Sequence, residues 1–274
     1  MLRPVEELAE CLDGSRELLI VVPSRAFADV LHRLSGQLPD DLGIAWATKG
    51  FEPDTGRLLH QVAEEILGPR DLAVVSGPSF AKEVALGLPT AVTVASPSPS
   101  HARRVAGWLH SDRFRAYTSD DLVGVQVGGA AKNVLAIATG IADGLGFGAN
   151  TRAALITRGL AELIRLGTAL GGKQETFMGL AGLGDLVLTC TDDQSRNRRM
   201  GLALARGLSV EEAKREIGQE VEGVITTGSV NAIARRLAVE MPICEQVFGV
   251  LREGVTPAQA TQNLLARGSR AEFS

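Results

Sequence analysis

The front of the chain alternates short apolar runs with amphipathic stretches. Glu17–Val22 reads as a continuous apolar strand that stops at Pro23, and Ile44–Thr48 as a second, closed by Lys49-Gly50. Leu72–Val75 is a third strand, running into Ser76-Gly77-Pro78-Ser79. Thr90–Ala95 is the fourth and Phe114–Thr118 the fifth. Helices are expected between them: Ser24 to about Leu34 with Ser24 as its cap, Pro53–Leu67, Phe80–Leu86 and Pro99–Leu109. Strands alternating with helices imply a mainly parallel sheet covered on both faces. Ligands of such sheets bind beyond the strand ends. Pro23-Ser24, Lys49-Gly50 and Ser76-Gly77-Pro78-Ser79 stand at those ends.

From Asp120 onward the period-two signal is gone. Helices are expected at Asn150–Leu170, Lys173–Leu180, about Ser195–Arg206, Ser209–Ile217, Gly228–Leu237, Pro242–Arg252 and Thr256–Ala266. A Gly-rich break, 179–185, interrupts them. The expected organisation is an α/β domain over 1–119 and an all-helical domain over 120–274. Asn150–Leu170 is apolar around much of its circumference and should form the core of the second domain.

The stretch Gly124–Gly140 is apolar except for Gln126, Lys132, Asn133 and Thr139, and it contains no Pro. Its length suits a buried helix. A Gly pair inside a helix costs about 1 kcal/mol per residue relative to Ala, so Gly128-Gly129 predicts that some other group comes close to the backbone there. Lys132 has two readings. It either snorkels to the surface at a helix edge, or is a desolvated catalytic lysine whose pKa falls toward the working pH.

Composition narrows the class. At 45% apolar and 22% charged residues the chain is an ordinary globular protein, and 274 residues suffice for two domains. A formal net charge of −4, one Tyr and two Trp give no basic surface or stacking platform for nucleic acid. Cys11, Cys190 and Cys244 are far apart, fitting a reducing cytoplasm better than a disulfide framework, and no His or Cys pair has metal-ligand spacing. No apolar run reaches membrane-spanning length without interruption, and Met1-Leu2-Arg3-Pro4 does not open a signal peptide.

Several side chains carry candidate chemistry. Asp185 follows a Gly-x-Gly turn; it either bonds its own backbone or orients Lys132 or a substrate hydroxyl. Ser195-Arg196-Asn197 stands at an expected helix start, where free N–H groups and an arginine fork suit a phosphate. The plainer reading is a capping Ser195 followed by solvated arginines, and Arg198, Arg199 and Arg206 are read that way. Ser79 is a second anion candidate, with helix capping as its default role. Lys49 is either a phosphate-neutralising lysine or an exposed turn residue. Together these describe a cleft for an anionic, hydroxylated substrate.

Five motifs occur in order: Ala47-Thr48-Lys49-Gly50, Ser76-Gly77-Pro78-Ser79-Phe80-Ala81, Gly128-Gly129-Ala130-Ala131-Lys132-Asn133, Ala181-Gly182-Leu183-Gly184-Asp185-Leu186 and Ser195-Arg196-Asn197. The chain resembles the bacterial NAD(P)-dependent sn-glycerol-3-phosphate dehydrogenase family from about Leu18 to Ala266. The resemblance implies reduction of dihydroxyacetone phosphate for glycerophospholipid synthesis, in the cytoplasm, by a homodimer that neither enters a membrane nor binds nucleic acid. It implies Lys132 as general acid/base. It implies substrate contacts from Lys49, Gly77, Ser79, Lys132, Asp185, Ser195, Arg196 and Asn197, with Arg196 and Asn197 on the phosphate. Contacts to NAD or NADP would come from Lys49, Ala81, Arg196 and Glu222. Glu220 stands where the family usually has an apolar residue; facing the cofactor, it would weaken binding of the phosphorylated form. No metal is implied.

The departure is at the front. The family opens with a strand, a Gly-x-Gly-x-x-Gly loop and a helix, and this chain has no such sequence. Its first strand corresponds to the family's fourth, and roughly 60 residues, about two βα units, are expected to be missing. An incomplete Rossmann-like sheet with an exposed edge should result. Two alternatives remain beside the enzyme: a non-catalytic chain whose helical domain serves as a dimerisation module, and a related dehydrogenase of 3-hydroxy acids or sugar acids. The Ser195-Arg196-Asn197 and Ala47-Thr48-Lys49-Gly50 motifs argue against the last.

Overall fold

The computed structural model describes residues 4–39, 42–268 and 272. In chain order the elements are α1 (Leu8–Leu12), β1 (Glu17–Ile20), α2 (Ser24–Leu34), β2 (Gly43–Trp46), α3 (Leu59–Leu67), β3 (Leu72–Ser76), α4 (Ala81–Ala85), β4 (Thr90–Ala95), α5 (Pro99–Leu109) and β5 (Phe114–Ser119). Helices follow: α6 (Leu122–Gly144), α7 (Ala149–Ala169), α8 (Gln174–Phe177), a π-helical turn (Leu180–Gly184), α9 (Asp185–Thr191), α10 (Arg196–Ala205), α11 (Val210–Ile217), α12 (Glu222–Arg236), α13 (Pro242–Arg252) and α14 (Pro257–Leu265). They form two compact units. One comprises 1–130 and 167–185, the other 131–166 and 186–274.

In the first unit the five strands lie in the order β1-β2-β3-β4-β5. All neighbours are parallel except β3 and β4, which pair antiparallel, Val75 opposite Val94. The reason is the 77–89 connection. Its one helix, α4, has five residues, too little chain to cover the sheet and return to the starting end. β2 and β3 are buried at every position, as strands covered on both faces must be. β1 is an edge strand, and Val21 just beyond it is 67% exposed. On one face Phe27, Leu31 and Leu34 of α2, at helical spacing, pack with Ile44, Trp46 and Leu59. Phe27 meets Trp46 edge-on at 5.6 Å between ring centroids. On the other face Val105 and Ala106 of α5 cover Ala45, Ala73 and Val94.

Two helices are shorter than their apolar pattern predicts. The α3 pattern starts at Pro53, but the Glu52 carboxylate accepts hydrogen bonds from the Asp54 and Thr55 N–H groups and ties 52–57 into a loop. α8 stops at Phe177, because Gly182 presses on the Phe177 backbone, where no Cβ would fit. The 179–185 break is not a turn. It is a π-helical turn that leads directly into α9. Ser24 does not cap α2; Pro23 holds the cap position and Ser24 is the first helical residue.

In the second unit the innermost helix is the C-terminal half of α6, with Ala131, Val134, Leu135, Ala136 and Ile137 all buried. α7 was expected in that role, yet Ala153 and Ala154 are exposed and Leu155 and Ile156 half-buried; only its later part, with Leu160 and Leu163, is core. α6 spans 23 residues, with mean hydropathy 1.3 over its most apolar window, so one helix is long and apolar enough to cross a membrane. Lys132 and Asn133 interrupt its apolar run. That window is 89% buried inside the protein. Among the described residues Cys11, Cys190 and Cys244 form no disulfide.

α13 has no side-chain cap of its own. Glu162 of α7, 1% exposed, supplies one: Oε1 accepts from Ile243 N–H at 2.7 Å and Oε2 from Cys244 N–H at 3.2 Å. Burial outweighs those bonds and pushes the Glu162 pKa up to about 7. Because the folded pKa lies above the unfolded one, the folded state binds the extra proton, and stability should fall as pH rises from about 4.5 to about 7, by on the order of 3 kcal/mol. Thermal unfolding of Glu162→Gln should begin somewhat below that of the parent at low pH, since one acceptor is lost. It should show a flatter decline in Tm across that window. Equal slopes for both chains would contradict the titration of Glu162.

Candidate active site

Lys49, Gly77 and Ser79 all lie past the C-terminal ends of the parallel strands β2 and β3. The Lys49 ammonium donates to the Gly77 carbonyl at 3.0 Å and to Asp185 Oδ2 at 2.6 Å. Asp185 is 1% exposed and the Lys49 side chain 22%. The pair is a buried carboxylate held by a lysine that still reaches solvent. The Asp185 carboxylate thus pairs with Lys49, and the residue opens α9 at the end of the π-helical turn. Ser79 does not cap α4. Its hydroxyl donates to the Gly77 carbonyl at 3.0 Å, and Phe80 occupies the cap position. Ala81, the first residue of α4, is exposed.

The Gly128-Gly129 pair has the predicted close neighbours. A Cβ on Gly128 would stand 2.6 Å from the Ala181 carbonyl oxygen, and one on Gly129 would stand 2.7 Å from the Ser76 hydroxyl. Gly128 lets the π-helical turn approach α6, and that turn delivers Asp185. The Ser76 hydroxyl, at the end of β3, is buried without a hydrogen-bond partner.

In the second unit Lys132 is 5% exposed. It does not snorkel: its ammonium donates to Thr189 Oγ1 at 2.8 Å. Next to it, Asn133 Oδ1 accepts from Asn197 Nδ2 at 2.9 Å, and Asn197 Oδ1 accepts from the Gly223 N–H at 2.8 Å. That last bond caps α12 from another helix, and so α12 starts six residues earlier than Gly228, at Glu222. Glu222 and Glu220 are half-buried. Ser195 is the N-cap of α10, accepting from Arg198 N–H at 3.2 Å, while Arg196 projects to solvent. Arg206 is exposed and pairs with Glu216. Arg198 is not a solvated arginine. It is 7% exposed, and its guanidinium donates to Asp143 and Asp193.

Sequence reasoning missed Thr189, the Asn133 partnership and Gly223. A signal for Thr189 existed: it lies four residues after Asp185, which places both on one face once 185–191 is read as helix. Nothing local marks Gly223.

The fold is that of an α/β enzyme of the two-part dehydrogenase type, with polar side chains past the strand ends and a lysine buried in a following helix. Two family models match the chain: the N-terminal part of NAD-dependent glycerol-3-phosphate dehydrogenase over residues 1–102 and its C-terminal part over 121–262. Glycerol-3-phosphate dehydrogenase [NAD(P)+] of Nitrosococcus oceani is 58% identical over all of this chain, which spans 80% of that protein. That of Thioalkalivibrio sulfidiphilus is 58% identical over 99% of the chain and 82% of its own length. The crystal structure of the Coxiella burnetii glycerol-3-phosphate dehydrogenase superposes with a TM-score of 0.93 at 52% identity, covering 95% of this chain and 80% of that one. The chain belongs to the NAD-dependent glycerol-3-phosphate dehydrogenase family of oxidoreductases.

The residues present fit the reacting end of a nicotinamide dinucleotide. The Lys49 ammonium, the Ser79 hydroxyl and the orphaned Ser76 hydroxyl supply polar groups at the strand ends where such a ligand binds. The 274 residues contain no Gly-x-Gly-x-x-Gly. The nearest approximation, Gly144-Leu145-Gly146-Phe147-Gly148-Ala149, joins α6 to α7, helix to helix, whereas the dinucleotide loop joins strand to helix.

The Lys49–Asp185 pair yields a prediction independent of substrate. Lys49→Met should destabilise the chain by about 3 kcal/mol in urea unfolding, because it strips a buried carboxylate of its cation. Adding Asp185→Asn should recover most of that loss. Additive losses in the double variant would mean that the pair is not coupled.

Proposed function

We propose that this chain catalyses the NAD(P)-dependent interconversion of dihydroxyacetone phosphate and sn-glycerol 3-phosphate, in the cytoplasm, as a homodimer that supplies glycerophospholipid synthesis. The observation that carries the reading is the arrangement in the helical unit. A buried lysine is aimed by Thr189, and its neighbour Asn133 is tied to Asn197 of Ser195-Arg196-Asn197.

When bound, the reduced nicotinamide supplies a hydride to carbon 2 of the substrate. Lys132, protonated beforehand, gives its proton to the carbonyl oxygen, and takes it back in the reverse direction. The bond to Thr189 helps fix the orientation of the ammonium. Asn197 spends its oxygen on Gly223 and one amide hydrogen on Asn133, so its second amide hydrogen is what it offers a phosphate oxygen. Arg196, exposed at the start of α10, adds a bidentate fork, and the helix start adds its dipole. Lys49, Gly77, Ser79, Asp185 and Ser195 complete the substrate contacts. Lys49, Ala81, Arg196, Glu220 and Glu222 contact the cofactor, with Glu220 disfavouring the phosphorylated form.

Oxidation of NADH and NADPH by the purified chain with dihydroxyacetone phosphate, beside Lys132→Ala, tests the reading. The substitution should lower turnover by at least about 100-fold, the low end for general acid–base catalysis. A fall of only a few-fold would remove Lys132 from that role. Arg196→Ala should raise the KM for dihydroxyacetone phosphate far more than that for NADH; equal effects would contradict a phosphate contact.

A further inference from the structure

Arg198 is buried and bonded to three residues, and neither acid/base chemistry nor substrate contact uses it. Its Nη1 donates to Asp143 Oδ2 near the end of α6 and to the Cys190 carbonyl in α9 at 3.4 Å. Its Nε donates to Asp193 Oδ1, in the loop before α10, at 2.9 Å. Asp143 Oδ2 also accepts from Arg152 of α7 at 2.8 Å. One guanidinium thus ties together the end of α6, the end of α9 and the entry to α10.

The packing beneath it shows why such a tie matters. α10 lies directly on α6 through glycines. A Cβ on Gly140 would stand 3.0 Å from the Gly201 Cα, and one on Gly201 would stand 2.7 Å from the Ile141 nitrogen. Side chains that interlock fix the register of two helices; at the Gly140–Gly201 contact main chain meets main chain instead, and one turn further along α6 only the single Cβ of Ala205 seats against Gly144. Asn197 lies one turn before Gly201 on α10, so a slip of α10 along α6 would part Asn197 from Asn133 and from Gly223. Replacing buried ion pairs by apolar residues is often neutral or stabilising, and their best-attested use is to set registry.

We propose that Arg198, through Asp143, is a positioning residue that sets the register of α10 on α6 and thereby the placement of Asn197 and Arg196 toward the substrate phosphate. The second half of this inference rests on the phosphate role given to those two residues above; the first half does not.

The test uses the full chain and the variants Arg198→Met, Arg198→Lys and Asp143→Asn. Hydrogen exchange at the Gly223 amide, whose partner is Asn197 Oδ1, reads the register without substrate. Arg198→Met should speed that exchange by about tenfold while leaving α14 amides unchanged. In steady-state assays it should raise the KM for dihydroxyacetone phosphate by about tenfold, with kcat and the KM for NADH within about threefold of the parent. Arg198→Lys, which keeps the charge but reaches fewer acceptors, should fall between. Unchanged Gly223 exchange in a folded variant overturns the register role. Faster exchange with an unchanged KM overturns its link to the phosphate. A joint fall of kcat and rise of both KM values would mean general loosening, and also overturns it. Should Arg198→Met not fold, Asp143→Asn, which keeps an acceptor oxygen, is read by the same criteria. A parent chain with no turnover would defeat the proposed function, and Gly223 exchange would still decide the register.

Discussion

Helix α6 is packed without side-chain clearance, and the candidate chemistry depends on that. At Gly128, Gly129, Gly140 and Gly144 other groups approach so closely that a Cβ would collide with them. Each glycine weakens the helix by about 1 kcal/mol relative to Ala. In return, neighbouring segments lie on the α6 backbone itself. Gly128 admits the π-helical turn that ends at Asp185, Gly129 admits the end of β3, and Gly140 admits α10. At Gly128 and Gly140 the approaching atoms are main chain, of Ala181 and Arg198, whereas at Gly129 they are the Ser76 hydroxyl and the Lys49 stem.

The same helix shows how a protein places polarity in an apolar core. Each polar residue in the 124–140 run has a specific partner. Gln126 takes the His60 N–H on its oxygen and directs its amide to the His60 ring and the Leu122 carbonyl. Lys132 has Thr189, Asn133 has Asn197, and Thr139 donates to the Ala136 carbonyl. An unpartnered group in such a site would cost on the order of 1–3 kcal/mol, more if charged. Helix starts follow the same economy. α12 and α13 lack caps of their own and are capped by Asn197 and Glu162 from other helices. A residue that caps a distant helix cannot move without freeing that helix's end, which couples site geometry to fold.

The sequence by itself determined the strands, because buried strands must be short continuous apolar runs and little else in the chain looks like them. It determined α5 and α13 to the residue and α2 closely, because a Pro stands at or just before the start of each. It also determined the family, since motif order survives whatever the packing does, and it marked Gly128-Gly129 as a place of close approach. Tertiary structure alone decided the rest. The antiparallel step at β4 came from the length a connection must span, and the core role of α6 over α7 from which apolar faces find partners. The helical character of 180–191 was decided by the space that Gly182 leaves against Phe177. Whether Lys132 and Arg198 are surface or interior charges was decided by Thr189, Asp143 and Asp193, residues tens of positions away or on another element. Local sequence encodes a charge and a spacing, and only the folded chain supplies the partner that makes burying the charge tolerable.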